Sequence, residues 1–363
     1  MDMRLVVATP LYPPEIGGPA TDAAAIAAAL AQKGNDVIVV PLSRTPHLPK
    51  GIRHLAYAYL LWKAARNARA IVAFDLVSIG VPAALVARFR GVPLIVRAPG
   101  DYAWEQGTQR FGVRDSIDAF QTKSYGIVVE FLRSAQRFAV KSAVLVIAPS
   151  DYFKDLMSGW GIAPERLIRI YLGINFSDQV QLPQSVPAGN VIFSLGRFVP
   201  WKGFSMLIRL LTSMPDWHLV IAGDGPLRGA LEREARDLEV IERVTFTGAL
   251  PRAEALGWYR SADAFVLNTS FESFSFQVLE AMESGTPIIA TKIGSLPELV
   301  TDGVEGVLLT PDDASAFRAA LESTQKEPHV WKNRTEAARR KAATFSIEAS
   351  TDAFVKELER VCG

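Results

Sequence analysis

Short apolar runs alternate with stretches of helical period along the whole chain. RLVVAT (Arg4–Thr9), DVIVVP (Asp36–Pro41), Ala70–Phe74, Pro93–Arg97 and Val144–Ala148 read as strands. Their apolar residues are consecutive rather than alternating, the pattern of strands buried on both faces. Between them lie an Ala-rich helix over Thr21–Lys33, stopped by Gly34, a second over Val81–Arg90 and a long one near Gly126–Lys141. The alternation then restarts. Strands are expected at Val191–Leu195, His218–Ala222, Val244–Thr247, Ala264–Leu267 and Pro287–Thr291, and helices over Phe204–Leu211, Leu227–Asp237 and Phe276–Ser284. The fold class is therefore α/β, with two Rossmann-like doubly wound domains facing a central cleft.

The break between the two series is SDQVQLPQSVPAGN (Ser177–Asn190), with two prolines, a glycine and no apolar period. It divides the chain into a first domain over 1–178, a linker over 179–190 and a second domain over 191–345. The helical stretch Ile347–Val361, within 346–363, is expected to cross back onto the first domain.

Composition narrows the classes. At 363 residues, 49% apolar and 21% charged, the chain is an ordinary globular protein of about two domains. Its one cysteine, Cys362, excludes a disulfide framework or cysteine-rich zinc site and points to a reducing compartment. The histidines, His47, His54, His218 and His329, are scattered, so no metal site is expected. The apolar run before Pro10 is too short for a signal peptide, and no window suits a membrane span. The expected location is the cytoplasm, with peripheral contact on the inner face of the membrane. Net charge is +1, but residues 1–180 carry +6 and the remainder −5. A basic first half suits an anionic partner there, whereas overall neutrality argues against a nucleic-acid binder.

The densest chemistry is in FESFSFQVLEAMESGTPIIATKIGSLPELV (Phe271–Val300). Glu272 lies just past the strand Ala264–Leu267, and Glu280 about one turn into the following helix. Carboxylates beside a helix start suit hydroxyl-rich ligands such as a sugar and a ribose; a capping acid and a surface glutamate would read the same way. GRFVPWKG (Gly196–Gly203) places Arg197 and Lys202 on a strand-to-helix loop, where two cations can converge on a pyrophosphate or simply be solvated. The first loop holds Gly17-Gly18 at a helix start, and Gly223-Asp224-Gly225-Pro226 follows another strand. The first loop does not match the dinucleotide fingerprint G-x-G-x-x-G, and the second element reads as a tight turn at a strand end that either is structural or lines the cleft.

Taken in order, these features resemble the GT-B glycosyltransferases of the large retaining family 4. The matching elements are the Gly17-Gly18 loop, the GR…KG element at Arg197 and Lys202, GDGP at 223–226, FTG at 246–248, and the E-x7-E segment from Glu272 to Glu280. GTPIIAT, ELV and EGVLLTP follow in family order. The resemblance implies a nucleoside-diphosphate sugar, UDP- or GDP-linked, held mostly by the second domain. Arg197 and Lys202 would neutralise the diphosphate in place of a metal ion, so that no cofactor is needed. Glu280 would bind the ribose, while Glu272 and the amides near Ser275 and Phe276 would hold the sugar. Backbone groups near Gly248 and Leu250 would meet the base, Gly223 would line the pocket, and Gly17 and Gly18 would let an amide approach the phosphate or sugar. Transfer would proceed on the front face, with departure of the diphosphate assisted by the substrates themselves.

Two departures from the family pattern stand out. Where members usually carry Gly-Phe-Gly, this chain has Ser273-Phe274-Ser275, and serine does not take a positive φ as cheaply as glycine. Where many carry a histidine, this chain has Pro99, so Asp101 is the substitute candidate for a catalytic contact with donor sugar or acceptor hydroxyl. Arg97 is either an acceptor-phosphate ligand or half of a strand-end salt bridge.

On the acceptor side, a glycan or lipid-linked molecule is expected to meet the first domain. HLAYAYLLWKAARNARA (His54–Ala70) reads as an amphipathic helix with Lys63, Arg66 and Arg69 on one face, suited to anionic lipid or to packing on the sheet. Competing classes are a nucleotide-sugar-binding module that has lost transfer and a sugar-nucleotide epimerase of the same fold.

Overall fold

The computed structural model describes residues 3–15, 17–45, 48–175 and 179–362. His47, Ser177 at the head of the proline-rich stretch, and Ile16 in the first loop lie outside the described residues. The chain forms two compact units, Met1–Gly173 with Ile347–Gly363, and Ile174–Ser346.

The first unit runs β1 (Arg4–Thr9), α1 (Gly18–Gln32), β2 (Asp36–Pro41), α2 (Lys50–Ala64), β3 (Ala70–Ala73), α3 (Gly80–Arg90), β4 (Leu94–Arg97), α4 (Tyr102–Arg110), α5 (Ile117–Thr122), α6 (Ile127–Ser142), β5 (Leu145–Ala148), α7 (Asp151–Ser158) and β6 (Leu167–Arg169). Its sheet is parallel, in the order β2-β1-β3-β4-β5-β6. The chain steps from β1 out to β2 and back to β3. Because such crossovers are right-handed, α1 takes one face and α2 and α3 the other. Leu5, Val7, Val72 and Ile95 are fully buried, which is why these strands carry apolar residues in sequence. Three-residue β6 gave no signal because it is short and ends in an exposed Arg169.

The second unit runs β7 (Asn190–Leu195), α8 (Phe204–Leu210), β8 (Trp217–Ala222), α9 (Arg228–Asp237), β9 (Val244–Gly248), α10 (Arg252–Ser261), β10 (Ala264–Leu267), α11 (Phe276–Ser284), β11 (Ile288–Thr291), α12 (Leu296–Leu299), β12 (Val307–Leu309), α13 (Ala314–Lys326) and α14 (Pro328–Ala342). Its sheet is again six-stranded and parallel, in the order β12-β11-β10-β7-β8-β9, with β7 rather than its second strand next to β10. α15 (Ile347–Cys362) belongs to the first unit, where Phe354, Val355 and Leu358 join Leu5, Ile26 and Leu30 in the core. The proline-rich stretch does not run free. Gln181 N–H donates to Ala253 O, and a Cβ on Gly257 would lie 1.9 Å from Gln181 O. No helix among the described residues is long and apolar enough to cross a membrane.

The structure gives three first-unit readings their setting. Asp101 is fully buried at the N-cap of α4. Its carboxylate accepts from Trp104 N–H at 3.0 Å, Gln136 Nε2 at 2.9 Å and Gln121 Nε2 at 2.8 Å. Burial pushes this carboxyl up, and those donors hold it back. A carboxylate enclosed in this way by its own chain holds the start of the helix. We expect Asp101→Ala to cost about 3 kcal/mol, since it removes a cap and leaves buried donors unfilled. Thermal unfolding checks this. Asp101→Asn, which keeps one acceptor oxygen, should melt closer to the parent, and an Asp101→Ala variant that melts with the parent would remove Asp101 from the cap.

Arg97 is buried and pairs with Asp22 at 2.5 Å, so the strand-end salt bridge is the arrangement observed. It also reaches Ser350 Oγ of α15 at 3.3 Å and so ties the returning helix to the C-terminal end of β4. Finally, α2 ends at Ala64, so Arg66 and Arg69 are not on its face. Arg69 instead donates to Cys362 O at 2.7 Å.

Candidate functional site

In an open parallel sheet, ligands meet the loops beyond the C-terminal strand ends. In the second unit these loops are stitched together. Gly196, just past β7, donates its N–H to Ala222 O at 3.0 Å, and Phe198 N–H donates to Asp224 O at 2.9 Å. Gly223, just past β8, donates to Gly248 O, at the end of β9, at 2.8 Å. Gly223 has φ 126°, and a Cβ there would lie 2.0 Å from Gly196 O. Only a glycine lets these two loops touch, and the contact sets the floor on which Arg197 stands.

The GRFVPWKG element sends its two cations to different places. Arg197 is exposed and has no ion pair among the described residues. Pro200–Lys202 makes a turn of 3-10 helix, and Gly203 at φ 56° ends it. A Cβ on Gly203 would come within 2.4 Å of Asn268 O, so the turn is pressed against the end of β10. Lys202 is thereby carried inward, where its Nζ makes a close ion pair with Glu272 Oε1. Both side chains are buried. Burial pushes the Glu272 carboxyl up, opposed by Lys202 and by a hydrogen bond from Thr269. The Glu272 carbonyl accepts from Ser295 N–H at 3.0 Å, which anchors the residue to the loop after β11.

α11 begins at Phe276, with Ser275 as its N-cap. Ser275 is fully buried at φ −122°, ordinary extended backbone, and its Oγ accepts from Val278 N–H at 3.3 Å. Serine in place of the family's glycine therefore costs no strain here and adds a cap. The Leu279 N–H donates to Ser275 O at 3.4 Å, so Ser275 fills two amides of the first turn of α11. Glu280, the fifth residue of α11, is buried and 2.7 Å from Arg252. Leu250 and Phe276 are half-buried at the start of the loop into α10 and of α11.

The second unit thus holds Arg197, Lys202, Gly223, Gly248, Leu250, Glu272, Ser275, Phe276 and Glu280. It brings Lys202 onto Glu272, and Gly223 onto both Gly196 and Gly248. Gly17 and Gly18 lie in the first unit at the start of α1, where Gly17 O accepts from Ala20 and Thr21 and no side chain caps the helix.

Arg252 is a site residue that sequence reading missed. A signal existed, since an arginine in the first turn of a helix opposes the helix dipole and needs a local reason. Its partner Glu280 supplies that reason. Ser295 was missed as well. Its hydroxyl is buried next to the Glu272 backbone, without a hydrogen-bond partner among the described residues.

The "glycosyl transferase 4-like domain" family model matches residues 2–173, and the "glycosyl transferases group 1" model matches residues 179–342. The chain belongs to the group 1 glycosyltransferases, of GT-B fold. A D-inositol 3-phosphate glycosyltransferase of Mycobacterium marinum is 28% identical over 234 residues, covering 60% of this chain and 50% of that protein. The chain therefore spans about half the length of that relative. A glycogen synthase of Mycobacterium tuberculosis is 27% identical, over 93% of this chain and 90% of its own. Among solved structures, Anabaena HepE in complex with UDP and glucose superposes with a TM-score of 0.77 at 20% identity, over 98% of this chain and 99% of that one.

Proposed function

We propose that this chain moves a sugar, with retention of configuration, from a UDP- or GDP-sugar to a hydroxyl of a glycan or lipid-linked acceptor. The observation that carries this reading is the pairing of Lys202 with Glu272, on the same loop as the exposed Arg197, past the C-terminal ends of β7 and β10. An incoming diphosphate competes with Glu272 for Lys202 and meets Arg197 from solvent, so two cations neutralise the leaving group in place of a metal. Glu272, released from Lys202, then accepts hydrogen bonds from the sugar hydroxyls. Glu280, oriented by Arg252, accepts from the ribose.

The chemistry follows from this placement. The bond between the anomeric carbon and the diphosphate oxygen breaks, and the acceptor oxygen bonds to the same face. The acceptor proton passes to the departing phosphate oxygen, so no side chain acts as nucleophile. Rate comes from positioning and from charge stabilisation of the diphosphate. HepE, which binds UDP and glucose, favours the UDP arm.

Thermal shift with UDP, GDP, ADP and NAD, with and without Mg²⁺, tests the donor site. A nucleoside diphosphate at about 100 times its Kd should add about 2.7 kcal/mol of apparent stability without metal. Stabilisation by NAD alone, or only with Mg²⁺, would overturn the reading. Glu280→Gln should weaken the ribonucleotide about tenfold and its 2′-deoxy analogue far less. Equal losses would remove Glu280 from the ribose. Product analysis with the matching donor separates transfer from a module that only binds it and from an epimerase, which changes donor without acceptor.

A further inference from the structure

The inner side of α2 is already committed to the first-unit core. Tyr57 and Leu61 are fully buried, and the Tyr57 hydroxyl donates to Val40 O at 2.8 Å. The outer side of the same helix is nevertheless apolar. Ile52, Leu55, Tyr59 and Trp62 follow one another at i, i+3, i+7 and i+10, and all are exposed, Leu55 at 74%. Ile52 and Leu55 take no part in the buried core, and the Tyr59 ring meets only Lys63 of its own helix, at 4.5 Å.

α3 packs alongside α2 and extends the surface with Leu85 and Phe89, the latter 72% exposed. The two helices are joined at their C-terminal ends. The Arg90 guanidinium stacks 3.7 Å from the Trp62 ring centroid and donates to Trp62 O at 2.8 Å. An exposed apolar stripe of this kind on a protein surface marks an interaction site.

The charge around it identifies the partner. From Leu48 to Arg90 the sequence contains one acid, Asp75, and it is buried in the loop before α3. The exposed charges of this stretch are cations, including Lys63, Arg66 and Arg88. A second copy of this chain docking through a two-fold axis would set those cations against themselves. A surface of anionic headgroups over an apolar interior complements both features at once.

We propose that the outer face of α2 and α3 docks on an anionic phospholipid bilayer, with Leu55, Tyr59 and Phe89 entering the headgroup boundary and Lys63, Arg66 and Arg88 contacting phosphates. The site differs from the one the sequence pointed to, because Arg69 is turned toward Cys362 and Arg66 follows the helix rather than lying on it. This inference stands apart from the nucleotide reading, since none of its residues belongs to the second unit.

The experiment is vesicle cosedimentation of the full chain. Phosphatidylcholine vesicles are compared with vesicles containing about 30 mol% phosphatidylglycerol, at low and high salt, because screening weakens surface charge attraction. Binding should require the anionic lipid and fall with salt. The pair Leu55→Ser/Phe89→Ser and the pair Lys63→Glu/Arg88→Glu should each lower bound protein at least tenfold. Both should keep the parent melting temperature and the shift caused by nucleoside diphosphate. Equal binding to neutral vesicles, or unchanged binding of both variants, would overturn the proposal. So would a concentration-dependent dimer, dissolved by Leu55→Ser/Phe89→Ser, in protein that ignores vesicles.

Discussion

Lys202→Ala is expected to lower kcat/KM for transfer by at least about 100-fold, the scale set by removing one preorganised group that stabilises developing charge. Arg197→Ala removes a cation of the same proposed role from a very different setting. Arg197 is exposed and without an ion pair among the described residues, so its loss should change stability by no more than about 0.5 kcal/mol. It should still weaken nucleoside diphosphate binding by about 1.5–3 kcal/mol, roughly ten- to hundredfold in Kd, and leave nucleoside binding untouched. Equal loss for both ligands would remove Arg197 from the diphosphate.

Lys202→Ala also strands a buried carboxylate. Breaking a buried pair on one side costs about 3–5 kcal/mol, unless the remaining acid takes up a proton. Glu272 is an acid whose folded pKa lies above its ordinary 4.5. Between those values the native state binds more protons than the unfolded chain, so stability falls as pH rises through the window. Removing Lys202 takes away an influence that lowers the folded value and so widens the window. The melting deficit of Lys202→Ala should therefore be smaller at pH 5 than at pH 8, and calorimetry at both values checks the sign.

Glu272→Gln is expected to act in the opposite sense on binding and on transfer. Lys202 is held by Glu272, and glutamine releases it without changing the shape of the site. Nucleoside diphosphate should then bind more tightly by about 1 kcal/mol, roughly fivefold. Transfer should fall by about two to three orders of magnitude, because the sugar loses a charged acceptor. Calorimetric titration and donor turnover measure the two effects separately. A variant that turns over at the parent rate would falsify the role of Glu272 in holding the sugar.

Much of the frame was legible along the chain because it depends on local patterning. Buried parallel strands need consecutive apolar residues, so Arg4–Thr9 and Ala264–Leu267 could be bounded to the residue. The start of α11 at Phe276 was legible for a similar reason, since a serine before an apolar helical period is a local capping signal. The short edge strands β6 and β12 were not resolved as strands, because three residues carry too little period.

Burial and pairing across long separations belong to the tertiary structure. Asp101 looked reactive in the sequence, an acid just past a strand. Enclosure by Gln121, Gln136 and Trp104, from three different stretches of chain, makes it a cap. Lys202 and Glu272 are 70 residues apart, and Arg252 and Glu280 are 28 apart. Each pair meets only because parallel strands deliver their following loops to one edge of the sheet. The apolar outer stripe of α2 was likewise invisible as such, since Leu55 and Leu61 look alike in a sequence. Only the sheet, by burying one and leaving the other in solvent, distinguishes core from surface. Composition and period thus determined which elements form and which residue types stand at their ends. The packing of those elements determined which charges are neutralised, which are free for a ligand, and which apolar residues are left to meet a partner.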